Sequence, residues 1–174
     1  MSGTGSSGTS GSPTAPRGAA SGGAPTLPPG ARSRVFQGLT AAAARGRFEL
    51  QQCAHCQAVQ YPPREACHRC LSTELPWTLQ TGAGELIAQT TLFHSHEAFF
   101  SARTPWRVGL IRLDCGPSVV AHVHAAVGAA PARVRIVARL DRSAQAVLVA
   151  VPDTAAVTVI EDGKLAEILL PAGG

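Results

Sequence analysis

The chain has 174 residues, 45% of them hydrophobic, and a formal net charge of +4 from 15 basic and 11 acidic side chains. That length predicts one domain or two small ones, and no apolar run approaches the ~18 residues that a membrane-spanning helix needs. The charge does not point to nucleic acid: Arg17, Arg32 and Arg34 lie in or beside the N-terminal tail, and from Val35 onward 12 basic groups face 11 acidic ones, whereas a nucleic-acid module concentrates basic charge on its folded face.

The tail comes first. Of residues 1–30, 23 are Gly, Ser, Pro or Thr, and the only charge is Arg17. Such a segment cannot bury enough apolar surface to offset its ordering entropy, so 1–34 is expected to be disordered. It has no basic stretch followed by an apolar one, so it does not read as a signal peptide, and the cytoplasm is the expected compartment. The residues that remain are enough for a core without disulfide staples.

Residues 35–80 read as a helix followed by a metal-binding segment. Over residues 35–47, Phe36, Leu39 and Ala43 share a helical face, the Ala run favours helix, and Gly46 suits its end. Phe48 to Gln51 alternates as a strand and leads into Cys53-x2-Cys56, ten further residues, then Cys67-x2-Cys70. Two such pairs at this spacing read as a rubredoxin-like zinc ribbon. Each pair turns two thiolates to one side, and two turns close a tetrahedron round Zn²⁺ at about 2.3 Å per sulfur. Four thiolates leave no open position, so the centre is structural and its binding energy is folding energy. An iron site has similar ligands and stays open. Two disulfides would need an oxidising compartment, and a thioredoxin-type pair would need a strand–helix context. His55 and His68, inside the turns, read as exposed loop residues.

Residues 81–152 read as all-β. Strands are predicted at 85–94, 106–114, 118–124, 132–140 and 146–151, with turns at Gly82-Ala-Gly84, Cys115-Gly-Pro117 and Asp141-Arg-Ser143. Five short antiparallel strands after a ribbon fit an OB-fold barrel. The fold class is therefore mainly β: N-terminal helix, zinc ribbon, then barrel. Residues 153–174 are expected to add a C-terminal hairpin, Val157–Ile160 against Leu165–Leu170 around Glu161-Asp-Gly-Lys164.

These pieces, in this order, resemble a known family. The match runs through Arg45-Gly-Arg-Phe-Glu-Leu-Gln-Gln-Cys53, the four-Cys ribbon with Tyr61-Pro-Pro-Arg64 between its turns, Trp77, the segment Gly82 to His94, and Thr104-Pro-Trp-Arg-Val-Gly-Leu-Ile-Arg-Leu-Asp-Cys-Gly116. The region from Val35 to Pro152 is identified as similar to the acyl-CoA-associated zinc-ribbon/OB-fold proteins, first catalogued as a domain of unknown function. The resemblance implies an accessory subunit, without catalytic residues of its own, that stabilises or completes a CoA-thioester-processing enzyme. Its partners would be thiolase-like, acyltransferase or aldolase subunits; alternatives are an enoyl-CoA hydratase complex and a nucleic-acid-binding ribbon/OB module. The tail and the C-terminal hairpin lie outside the shared region.

Cys53, Cys56, Cys67 and Cys70 are the metal ligands, with zinc as the cofactor. Arg133, Arg135 and Arg139 alternate along one strand and are candidates for CoA phosphate, against the plainer reading of a solvated face. His94/His96 and His122/His124 are pairs two residues apart; on neighbouring strands they would gather four imidazoles, and otherwise they are polar-face or partner-contacting residues. Cys115, the unpaired thiol, sits in a turn with nothing to mark a base beside it. Phe93, Phe99, Phe100 and Trp106 flank a predicted flexible loop at 95–105 and either line a partner surface or close the barrel.

Overall fold

A computed structural model describes residues 23, 25–154 and 161–171. A 3₁₀ turn at Arg34–Phe36 leads into helix α1, Gln37–Ala44. Its Ala run carries little side-chain entropy, and Leu39, Ala42 and Ala43 form its buried face. Gly46 ends it in the left-handed conformation at φ 68°, while the Arg47 N–H returns to the Ala42 carbonyl at 3.0 Å. Eight residues of helix are marginal alone; tertiary contacts hold this one. A Cβ on Gly38 would run into the Trp77 indole, so glycine is what lets the two meet.

The ribbon sheet has the order β2-β1-β3, from β1 (Glu49–Gln52), β2 (Val59–Gln60) and β3 (Trp77–Leu79), all antiparallel. Strands β4 (Ala83–Leu92), β5 (Trp106–Leu113), β6 (Ser118–Val123), β7 (Ala132–Leu140) and β8 (Ala146–Pro152) close a barrel in the order β4-β5-β6-β8-β7. On β7, Val134, Ile136 and Ala138 point inward while Arg133, Arg135 and Arg139 face out, as the alternation predicts. One expectation needs correction: not every pair is antiparallel. Strand β8 lies between β6 and β7, antiparallel to β7 and parallel to β6. The loop at 124–131 carries the chain past that position before β8 returns to fill it.

The barrel interior and α1 share one core, in which Leu39, Phe48 and Leu50 join Leu86, Ile111, Val134 and Ile136. A second core lies on the outer face of β8. There Val149 and Val151 pack with Phe99, Trp106, Leu165, Ile168 and Leu169. The predicted flexible loop at 95–105 supplies part of it through a short helix α2, Ala98–Ser101. Phe99 and Trp106 are buried and Phe100 packs against them, whereas Phe93 is 64% exposed.

The C-terminal segment also differs from expectation. Leu165–Leu170 is not a hairpin arm: it opens with helix α3, Gly163–Ala166. The Asp162 carboxylate accepts from the Lys164 and Leu165 N–H groups and so caps the helix. Leu165, Ile168 and Leu169 then fall at helical spacing onto the second core. Leu169 keeps a single antiparallel bridge, to Asp141. The other predicted arm, Val157–Ile160, lies outside the described residues.

The tail boundary moves as well. Pro28 is buried, the Ser143 hydroxyl donates to its carbonyl, the Arg103 guanidinium donates to the Pro25 carbonyl at 3.0 Å, and Arg32 pairs with Asp141 at 3.6 Å. These contacts fasten residues 25–32, placed in the disordered tail on composition, along the barrel; residues 1–22 and 24 lie outside the described residues. No described helix is long and apolar enough to cross a membrane.

Candidate metal centre

The two cysteine turns repeat one backbone design. In the first, the Gln57 N–H donates to the Cys53 carbonyl at 2.9 Å and the Cys53 N–H to the Ala58 carbonyl at 2.9 Å. In the second, Leu71 donates to Cys67 at 3.0 Å and Cys67 to Ser72 at 2.8 Å. The residue after each second cysteine, Gln57 or Leu71, takes positive φ, 61° or 63°. Each turn is thus closed by bonds at the same offsets, which holds both of its sulfurs on one side.

The four sulfurs meet. Cys53 Sγ lies 3.5 Å from Cys70 Sγ, Cys56 Sγ lies 3.6 Å from Cys67 Sγ, and all four fall within 4.8 Å of one another. A tetrahedral ion with 2.3 Å bonds requires sulfur–sulfur edges of roughly 3.8 Å, so the cluster has the size of a zinc site. Cys53 and Cys67 are fully buried, and Cys56 and Cys70 are half-buried.

Electrostatics favour a cation there. The Cys56 backbone N–H, 3.5 Å from Cys53 Sγ, is foremost in lowering the Cys53 thiol to about 6. The Arg69 N–H, 3.4 Å from Cys67 Sγ, lowers the Cys67 thiol in the same way. At Cys70 the Ser72 N–H favours the thiolate, but burial and the three neighbouring sulfurs outweigh it and push the group up to about 12. Like charges so close cannot all ionise unaided, and a divalent ion supplies the compensation. A centre of four thiolates takes structural zinc and offers no position for substrate.

Two buried glutamines tie this centre to the loop between its turns. The Gln51 carboxamide accepts from the Arg64 N–H at 2.8 Å and donates to the Arg64 carbonyl at 2.9 Å. The Gln60 amide donates to Gln51 at 3.0 Å, and its oxygen accepts the His68 N–H at 3.1 Å and meets His68 Nδ1 at 3.2 Å. Sequence reasoning missed this network, because two glutamines in short strands carry no motif. His68 contacts Gln60 and not the cluster, and His55 is exposed, so both are loop histidines as expected.

The remaining candidates do not assemble into a second site. Strand β5 separates β4 from β6, so His94 and His96, exposed in the loop after β4, are not beside His122 and His124. Among the described residues the four cysteines are the one metal-sized group. His122 stacks on Phe100 at 6.3 Å and meets the Trp106 edge at 5.7 Å. Burial there pushes its imidazole down to about 4. His124 is buried, and its Nδ1 accepts the Ala126 N–H at 3.0 Å. The arginine stripe is largely neutralised: Arg133 grips Asp114 with two bonds, at 2.9 and 2.6 Å, and Arg135 pairs with Asp153 at 3.0 Å. Arg139 bonds the neighbouring Ala138 carbonyl at 3.1 Å. Burial, with the nearby Asp114 charge adding to it, pushes the Cys115 thiol up, the opposite of an activated nucleophile.

Comparison with known proteins agrees with this architecture. Residues 40–76 match the family model described as ChsH2, rubredoxin-like zinc ribbon domain, and residues 77–144 match ChsH2, C-terminal OB-fold domain. A solved chain from an assembly titled "Ltp2-ChsH2(DUF35) aldolase" superimposes with a TM-score of 0.59 at 22% identity, covering 71% of this chain and 98% of that one. A DUF35-family protein of unknown function from Sulfolobus solfataricus gives a TM-score of 0.45 at 14% identity, over 68% of this chain and 87% of that one. No curated protein matches the chain.

Proposed function

Because the chain belongs to the ChsH2 zinc-ribbon/OB-fold family, we propose that it is an accessory subunit, without catalytic residues of its own, that stabilises or completes a CoA-thioester-processing enzyme of the aldolase type in the cytoplasm. The observation that carries the reading is the uninterrupted run of both family domains over residues 40–144, folded round a closed four-thiolate centre. A relative of the same fold occurs in an assembly that its title calls an aldolase. The chemistry of the residues points the same way. The metal set has no open coordination position, and the free thiol outside it is deactivated. Thiolase-like, acyltransferase and hydratase partners share the thioester substrate class and are tested alongside.

The test is co-expression of the chain with a candidate thiolase-fold aldolase subunit, followed by light scattering and an acyl-CoA assay. The expected result is a particle heavier than either subunit alone, with turnover that needs both. The Cys53→Ser/Cys56→Ser double variant should lose zinc and the complex together. Turnover by this chain alone, or a complex that survives the double change, contradicts the reading.

A further inference from the structure

The second cysteine turn and the β5–β6 turn face each other across a cleft of about 480 Å³. Tyr61, Arg64, His68 and Arg69 line it from the ribbon, and Cys115 and Ser118 from the barrel. Among the described residues the ion pairs engage Arg32, Arg45, Arg47, Arg133, Arg135 and Lys164, and neither Arg64 nor Arg69 makes one. The cleft is thus lined by two arginines that make no ion pair and by Tyr61, while no acidic side chain lines it. Arginine's planar fork suits phosphoryl oxygens.

The cleft is also braced. Gln51 holds the Arg64 main chain by both its N–H and its carbonyl, and Gln60 links that clamp to the main chain and ring of His68, the neighbour of Arg69. Gln51 and Gln60 are 7% and 2% exposed, so both amides are buried, and each is bonded. Bonded, buried amides of this kind fix the main chain that carries Arg64 and adjoins Arg69.

We propose that this cleft is a phosphoryl-anion site, with Arg64 and Arg69 as its charge contacts and Gln51 and Gln60 as positioning residues. The phosphates of a CoA thioester are one source of that anion, an assignment that rests on the accessory-subunit reading; a free pyrophosphate offers the same oxygens. The site stands apart from the Arg133/Arg135/Arg139 stripe, two of whose members are committed to carboxylates.

The test titrates the full zinc-loaded chain with CoA, 3′-dephospho-CoA, inorganic pyrophosphate and a short oligonucleotide. Arg64→Ala/Arg69→Ala should weaken CoA or pyrophosphate binding at least tenfold with zinc content unchanged, and Arg64→Lys/Arg69→Lys should restore part of it. Arg133→Ala/Arg135→Ala should leave binding as it was. Weaker binding of dephospho-CoA would identify the 3′-phosphate as the anion held. Zinc loss in the double alanine variant would mean that the arginines only balance the thiolate charge, and would overturn the proposal. So would unchanged affinity in that variant, no binding of any phosphoryl probe, or a preference for the oligonucleotide with steep salt dependence. Capture of a partner without phosphoryl binding would sink this site and leave the subunit reading standing; binding without a partner would do the reverse.

Discussion

Single side chains set the behaviour of the interior. His122 is held neutral by burial, its imidazole at about 4, while in the unfolded chain it titrates near 6.5. Between those pH values the unfolded chain binds the extra proton. The contribution is therefore whole above about pH 6.5 and is lost as pH falls towards 4, by up to ~3 kcal/mol. Urea unfolding at pH 7 and pH 5 should show that loss in the wild type and a flatter response in His122→Phe; equal losses in both would refute it. Gly38 makes a second prediction, of unusual sign. Gly→Ala inside a helix normally stabilises, yet here a Cβ displaces the Trp77 indole. Gly38→Ala should cost about 1–3 kcal/mol and alter tryptophan emission, as overpacking does. At this scale the sequence is unevenly legible. The four cysteines were legible because zinc demands a fixed spacing. The Arg133 stripe was visible as a pattern, but its carboxylate partners, Asp114 and Asp153, come from other strand ends and only the register brings them near. The glutamine clamp left no trace in spacing at all.

Among the elements, the ribbon depends on its metal and the C-terminal segment on its cap. Strands β1 to β3 have two to four residues each, too short to persist without the centre that joins their ends. A strong chelator at neutral pH should collapse the ribbon and expose Trp77, with a red shift in emission that zinc reverses. Unchanged emission after verified metal loss would show that the ribbon folds by packing alone. Asp162 caps α3 and also accepts the Ala125 N–H at 2.7 Å, so one carboxylate pins the segment to the end of β6. Asp162→Ala should cost about 1–2 kcal/mol, measured by thermal unfolding. The barrel strands were readable because a half-buried strand alternates, as Val134, Ile136 and Ala138 do. The expected hairpin arm at 165–170 is helical at its start because a short apolar run fits either period, and the Asp162 cap decides between them. Residues 25–32 escaped because their order comes from the distant Arg103, Asp141 and Ser143, which tail composition does not register.

For the whole molecule, ribbon, helix and barrel are joined by one core, with Phe48 and Leu50 of the ribbon packed among barrel residues. On the accessory-subunit reading proposed above, a ribbon joined to a closed barrel through one core acts by what it binds, and the proposed partner is a CoA-thioester enzyme. The overall order of parts was legible because each has its own local signature; the parallel β6–β8 closure was not, because strand order is set by long-range packing. The most direct measurement is capture of the tagged full-length chain from its native cells, with mass spectrometry of what co-purifies and zinc counted in the same sample. Stoichiometric recovery of a CoA-thioester enzyme subunit, an aldolase foremost, is the predicted result. Recovery of a zinc-loaded monomer alone would contradict the account.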